Sequence, residues 1–304
     1  MNRHPYEGVE ARVLTAYAEA DFESALATLD DEGIRHPHQW ERTAYWRSCL
    51  LARLGRPDEA VDNFRQALEA GAWWSPRLLE LENDLDPLWH HPGYRPMLEE
   101  MERRRQAWAP PASGLLLGGS RGAAPFVGLH GRNQVFEVDA AHLLALAAGR
   151  WEIAIPESGQ RIASDGPVWD DPDRCRQQVR STATTLWGER AFGVVGFSQG
   201  GRRALQLALG AGDNVPVAIV IAPMLRRTSE LAEVIGSLRG PPWPLVFIVT
   251  GERDPAAAGV DTLATHLHDE GLDVRVRIEP DRGHEWIDPP PGWLRSAGDS
   301  LIES

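Results

Sequence analysis

The chain has 304 residues, 42% hydrophobic and 25% charged, with 31 basic against 44 acidic side chains and a net charge of −13. This is the composition of a globular protein, and the acidic balance argues against nucleic acid or an anionic membrane as main partner. Every Lys/Arg position is an arginine, which excludes Schiff-base and phosphate-loop lysine chemistry.

From about Val9 to Trp108 the pattern is helical throughout, with no strand-like run. Two segments repeat. Ala20-Asp21-Phe22-Glu23-Ser24-Ala25 is followed by Leu29, and Arg56-Pro57-Asp58-Glu59-Ala60-Val61 by Phe64 and Ala67, so Ala25 and Ala60 lie 35 positions apart. Small residues at Ser48 and Ala60 would let the two helices of a unit pack closely, while Phe64 fills the space between units. Gly55-Arg56-Pro57-Asp58 reads as a helix break. Residues 1–108 thus resemble the tetratricopeptide repeat family, in degenerate form because Ala44 stands where the signature aromatic would be. An unrelated helical bundle is the competing reading. Arg103-Arg104-Arg105 reads as a solvated helix end. Trp73, Trp74 and Trp89 are expected to be exposed anchors. Ala109-Pro110-Pro111-Ala112-Ser113-Gly114 is expected to be a linker, with a second domain over 115–304.

In that second region short apolar runs alternate with helical ones. Strands are expected at Leu115–Leu117, Phe126–Leu129, Trp151–Ile155, Phe192–Phe197, Val217–Ile221, Leu245–Thr250 and Val274–Ile278. Helices are expected at Ala140–Ala148, Asp173–Trp187, Arg202–Leu209, Ser229–Leu238 and Val260–Glu270, with a last one after Pro291. This alternation predicts an α/β fold, a mostly parallel sheet with helices on both faces, preceded by an all-α domain. Ligands of such sheets bind beyond the carboxyl ends of the strands.

Between a predicted strand and a predicted helix lies Gly196-Phe197-Ser198-Gln199-Gly200-Gly201. Gly-x-Ser-x-Gly at a strand-to-helix turn is the pattern that exposes a nucleophilic serine. A serine hydroxyl needs a base to take its proton and an acid to orient that base. Asp254 and His284 each follow a predicted strand, so Ser198, Asp254 and His284 are the candidate catalytic residues, in the chain order Ser, Asp, His. Asp281 and Glu252 are rival acids; Asp281 reads better as part of the turn Asp281-Arg282-Gly283. His266 and His268 fall inside a helical run. Developing negative charge needs backbone N–H donors, and the amides of Gln199 and Arg132 are expected to supply them. His130 reads as a structural histidine anchoring its loop.

Leu129-His130-Gly131, the six-residue stretch around Ser198, Gly251-x-x-Asp254 and Gly283-His284 together resemble the phospholipase/carboxylesterase branch of the α/β-hydrolases, which includes acyl-protein thioesterases. The likeness covers about Gly114 to Glu303. The resemblance departs at Arg132-Asn133-Gln134, where the family continues with Gly-Asp, and at Pro255-Ala256-Ala257. It implies a serine hydrolase acting on a carboxylic ester or thioester through an acyl-enzyme, without metal or cofactor. Gln160, Trp169 and Trp286 are expected to contact the substrate, with packing as the other reading for Trp169.

The expected partner is a small-molecule or carrier-linked acyl substrate, and the helical repeats are expected to shape access to Ser198 or to dock a protein. A peptidase or lactone hydrolase on the same residues, or a repeat-based adaptor with a vestigial hydrolase, are the alternatives. No apolar run approaches the roughly 18 residues of a membrane span, and the first residues lack an apolar signal core, so a cytoplasmic location is expected. Cys49 and Cys175 are expected as buried or half-buried thiols.

Overall fold

The structure, a computed structural model, describes residues 5–33, 35, 39–108, 114–133, 136–210 and 215–302. It falls into two compact units, Met1–Ala109 with Arg161–Asp165, and Pro110–Gln160 with Gly166–Ser304. Of the expected linker, residues 109–113 lie outside the described residues.

The first unit is helical: α1 (Pro5–Ala18), α2 (Phe22–Gly33), α3 (Trp40–Arg53), α4 (Pro57–Glu69), α5 (Pro76–Glu80) and α6 (Tyr94–Ala107), with a 3-10 turn at Asn83–Leu88. Gly55, at φ +70°, ends α3 in a conformation that favours glycine. Pro57 then opens α4, where its missing N–H has no helical partner to lose, and Asp58 and Glu59 complement the helix dipole. Ser48 and Ala60 are fully buried where α3 meets α4. The Ser48 hydroxyl donates to the Ala60 carbonyl at 3.2 Å and accepts from the Asn63 amide at 2.8 Å.

The expectation that Trp73 and Trp74 are exposed is overturned: they are 3% and 2% exposed, against 42% for Trp89. Trp74 meets Phe64 edge-on at 5.4 Å and lies 6.2 Å from Tyr45. Two such rings bury more apolar area inside than any surface site would recover. The segment Arg161–Asp165 belongs to this unit and pairs with it as extended backbone. Ala163 forms an isolated bridge with Trp74, the Ser75 N–H donates to the Ile162 carbonyl at 2.7 Å, and the Ser164 N–H to the Trp73 carbonyl at 2.9 Å. The Ser164 hydroxyl donates to the Glu41 carboxylate.

From residue 115 on, the chain forms β1 (Leu115–Gly119), β2 (Ala124–Leu129), α7 (Phe136–Ala147), β3 (Trp151–Pro156), the hairpin β4 (Gln160–Ala163) and β5 (Gly166–Val168), α8 (Pro172–Trp187), β6 (Gly193–Phe197), α9 (Gln199–Leu209), β7 (Val217–Ile221), α10 (Thr228–Ile235), β8 (Leu245–Gly251), α11 (Ala257–Asp269), β9 (Val274–Glu279) and α12 (Pro291–Ile302). The main sheet runs β1-β3-β2-β6-β7-β8-β9; only β1 is antiparallel to its neighbour.

Every residue of β6 and β7 is buried, as expected of strands covered on both faces. Their side chains alternate between two cores. Val194, Ala218 and Val220 pack with Val179, Leu205, Val234 and Leu263 from α8, α9, α10 and α11. Val195, Phe197, Ile219 and Ile221 pack on the opposite face with Leu143 and Ala140 of α7 and Leu294 and Ala297 of α12. The hairpin β4–β5 occupies a stretch where no strand is expected. Its strands span only four and three residues and one contains Pro167, so no alternating pattern could develop.

Candidate active site

Ser198 sits between β6 and α9 with φ +54° and ψ −115°, a strained conformation for a residue with a side chain. Three glycines around it make the turn geometrically feasible. A Cβ on Gly196 would lie 2.4 Å from the Gly200 carbonyl oxygen, and one on Gly200 would lie 2.4 and 2.5 Å from the carbonyl oxygens of Leu129 and His130. Gly201 is tight as well, its Cβ 3.1 Å from the Gly196 carbonyl oxygen. The Ser198 backbone is held on both sides. Its N–H donates to the Ile221 carbonyl at 3.0 Å, and its carbonyl accepts from Met224 at 2.9 Å and Arg202 at 3.1 Å.

Past the end of β8, Asp254 is buried, and past the end of β9 comes the loop of His284. Gly251 lets that loop cross over the end of β8: a Cβ there would lie 2.3 Å from the Arg282 carbonyl oxygen. The Arg253 N–H donates to the same oxygen at 2.8 Å. The structure brings the three predicted residues into one chain of hydrogen bonds. His284 Nε2 is 2.9 Å from Ser198 Oγ and His284 Nδ1 is 2.8 Å from Asp254 Oδ2. Asp254 Oδ1 also accepts the Ala256 N–H at 2.9 Å, and the Thr250 hydroxyl approaches Oδ2 at 3.3 Å.

Burial opposes the charge on Asp254, but the bonds from His284 and Ala256, with the Arg226 charge, outweigh it and hold its pKa below the usual value. An ionised Asp254 can only accept, so Nδ1 of His284 carries the proton and Nε2 presents a lone pair to the serine hydroxyl. The rival acids are engaged elsewhere. Asp281 pairs with Arg253, and its N–H donates to Glu252 Oε2 at 3.2 Å.

On the other side of the serine is the loop after β2. Here the Gly131 N–H donates to Asp139 Oδ2 at 2.5 Å, so it is already engaged. The next amide, that of Arg132, donates to no acceptor among the described residues, and neither does that of Gln199. His130 is fully buried and both ring nitrogens are used. Its Nε2 accepts the Ser158 N–H at 3.0 Å, which leaves Nδ1–H to donate to the Gly131 carbonyl at 2.7 Å. The ring stacks on Trp169 at 4.8 Å.

Trp169 is itself fully buried, its indole N–H donating to the His130 carbonyl at 3.1 Å. Gln160 is spent on the backbone of Asp171, accepting its N–H at 2.7 Å and donating to its carbonyl at 3.1 Å. Trp286 stacks on Phe197 at 4.6 Å. The side chain of Gln199, buried like its backbone, accepts the Trp169 N–H and donates to Asp170, both at 2.8 Å. Arg203 donates to the carbonyls of Trp169 and Asp170, both at 2.7 Å, and the Arg132 side chain pairs with Asp170.

Sequence reasoning missed Arg203 and Asp139. Neither carries a local signal: Arg203 stands next to Arg202 in α9, and Asp139 two positions after Glu137 in α7. Among the described residues no cluster of three or more His, Cys, Asp or Glu side chains could hold a metal ion. No helix among them is long and apolar enough to cross a membrane.

A mostly parallel seven-stranded sheet clad by helices on both faces, with one antiparallel edge strand, is the α/β-hydrolase fold. No protein-family model matches the sequence, and no curated protein matches it. Among solved structures the chain is similar to an uncharacterized protein from Bacillus cereus, at 19% identity over 98% of each chain with a TM-score of 0.49. It is also similar to a Bacillus cereus carboxylesterase, at 17% identity over 63% of this chain and 94% of that one, TM-score 0.48. A third similar structure is Zea mays acyl-protein thioesterase 2, at 17% identity over 63% of this chain and 99% of that one, TM-score 0.43.

Proposed function

We propose that the protein is a serine hydrolase that cleaves a carboxylic ester or thioester through an acyl-enzyme. The observation that carries this reading is the hydrogen-bond chain from Asp254 through His284 to Ser198, 2.8 and 2.9 Å long, meeting a serine on a strained elbow. His284 Nε2 takes the hydroxyl proton as Ser198 Oγ attacks the acyl carbon. The carbonyl oxygen becomes an oxyanion, held by the N–H groups of Gln199 and Arg132. Asp254 keeps the imidazole in the right tautomer and stabilises the imidazolium, which then protonates the departing alkoxide or thiolate. Water repeats the sequence, His284 taking its proton, and releases the acid.

The substrate is a small or carrier-linked acyl compound. Gln160 and Trp286, both half-buried, are the residues we assign to substrate contact, whereas the full burial of Trp169 favours packing. We read the helical unit as tetratricopeptide-like, serving substrate access or a protein partner; the close seating of Ser48 against Ala60 supports that reading.

The test is covalent. A fluorophosphonate probe is expected to label Ser198, and Ser198→Ala to abolish both labelling and p-nitrophenyl ester turnover beyond the residual about 10³–10⁴ over water that binding and oxyanion donors supply. A Ser198→Ala protein that kept most of its turnover would end this reading.

A further inference from the structure

Asp139 lies in the first turn of α7, 1% exposed, in a helix whose neighbouring residues are mostly apolar. Its two carboxylate oxygens reach two loops. Oδ2 accepts the Gly131 N–H at 2.5 Å, and Oδ1 accepts the Trp286 indole N–H at 2.9 Å. The first bond fixes the peptide plane before Gly131. His130 Nδ1 fixes the plane after it, through the Gly131 carbonyl at 2.7 Å. That second plane carries the Arg132 N–H. A glycine has the freest backbone of any residue, and here both of its dihedrals are set by buried side chains.

The second bond acts on the other half of the site. The Trp286 ring lies between two others, 4.6 Å from Phe197 at an interplanar angle of 21° and 4.8 Å from His142 at 11°. Phe197 immediately precedes the nucleophile and its ring lies 5.4 Å from that of His284. Trp286 itself is two residues beyond His284. Its indole is therefore the brace of the base's loop, and the Asp139 carboxylate sets where it stands.

We propose that Asp139 is a positioning residue: one buried carboxylate that ties the oxyanion loop to the loop of the general base, so that donor and base keep one spacing across Ser198. The proposal rests on the serine-hydrolase reading. A carboxylate suits the task because it accepts from both sides at once, whereas an amide offers one accepting and one donating end. A carboxylate that merely anchored α7 would change stability but leave the chemical step alone. One that sets spacing must change the rate, since misplacement by about 1 Å can cost on the order of 10² in rate.

The experiment is steady-state turnover of p-nitrophenyl acetate by the full chain, with fluorophosphonate labelling in parallel, well below the melting temperature. Asp139→Asn keeps the volume and makes one N–H face a donor. We expect kcat to fall about 10–100-fold with KM within about threefold of wild type, and the labelling rate to fall in step. Trp286→Phe removes only the indole N–H from the carboxylate while keeping a ring on Phe197, and kcat is expected to fall about 3–10-fold. Because the two variants break a shared bond, the double variant should lose less than the product of the single losses. A folded Asp139→Asn protein with wild-type kcat, or fully multiplicative losses, overturns the proposal. If Asp139→Asn does not fold, Trp286→Phe decides: unchanged kcat overturns it. A wild-type chain that neither turns over the ester nor takes the label defeats the hydrolase reading and this proposal with it. Labelled wild type with an equally labelled variant defeats this proposal alone.

Discussion

Replacing Gly200 with alanine tests the architecture of the elbow at its tightest point. The new Cβ would stand 2.4 Å from the Leu129 carbonyl oxygen and 2.5 Å from that of His130, whereas ordinary contact begins near 3.4 Å. About 1 Å must therefore open between the first turn of α9 and the end of β2. Both partners are backbone, so no rotamer change can relieve the clash, and the loss should sit near the top of the overpacking range, about 3 kcal/mol. For a unit of this size that is roughly 6–12 °C in melting temperature. The same gap separates Ser198 and the Gln199 amide from Arg132, and a misplacement of that size is expected to lower kcat by about 10².

The assay is thermal denaturation with ester turnover on the folded protein, and the control is Gly283→Ala. Gly283 also belongs to a motif, beside His284, yet a Cβ there would meet nothing within 4 Å and its φ is not positive. It should keep its melting temperature and its rate within about twofold. If Gly200→Ala melts and turns over like wild type, the clash argument for this elbow is wrong.

Asp254→Asn should leave a folded protein whose kcat falls by about 10⁴, because the amide stabilises the wrong tautomer of His284; circular dichroism and turnover on the same sample check both halves. Asp254 has its pKa lowered in the folded state. Its stabilisation is thus present above the unfolded carboxylate value of about 3.9 and is lost as pH falls through the lower folded value. The Asn variant should show a flatter acid limb in denaturant melts. Glu41, in the helical unit, is pushed up to about 7 by burial and by the Asp165 carboxylate beside it. Between about 4.5 and 7 the folded state holds a proton that the unfolded chain has lost, so stability falls as pH rises through that window. Glu41→Gln, neutral at every pH, should be more stable than wild type by about 1–2 kcal/mol at pH 8, after allowance for solvent screening, and equal to it near pH 4; equal melting at pH 8 would refute the assignment.

All seven strands of the main sheet were legible in the residue order. Strands buried on both faces, such as Val217–Ile221, must be continuous apolar runs, and turn residues bound them. The elbow was legible for a local reason as well: Gly196, Gly200 and Gly201 answer clashes made within a few residues of Ser198 or with the strand beside it. That Asp254 and His284 follow strand ends could be read from the chain; that they meet Ser198 through one hydrogen-bond chain is a property of strands β6, β8 and β9 lying in one parallel sheet. What the residue order could not carry was anything set by partners distant along it. Trp73 and Trp74 looked like surface anchors because the segment between α4 and α5 has no helical period to show a buried face, and only the packed rings of Phe64 and Tyr45 decide that Trp74 goes inside. Residues 160–168 gave no sign of a strand because the two strands there are too short to alternate. Nothing local sets Asp139 apart: it stands one residue before the expected helix Ala140–Ala148, close to Glu137 and His142. Its work depends on Gly131, eight positions before it, and Trp286, 147 positions after it, and a hydrogen bond over that separation exists only once the chain has folded.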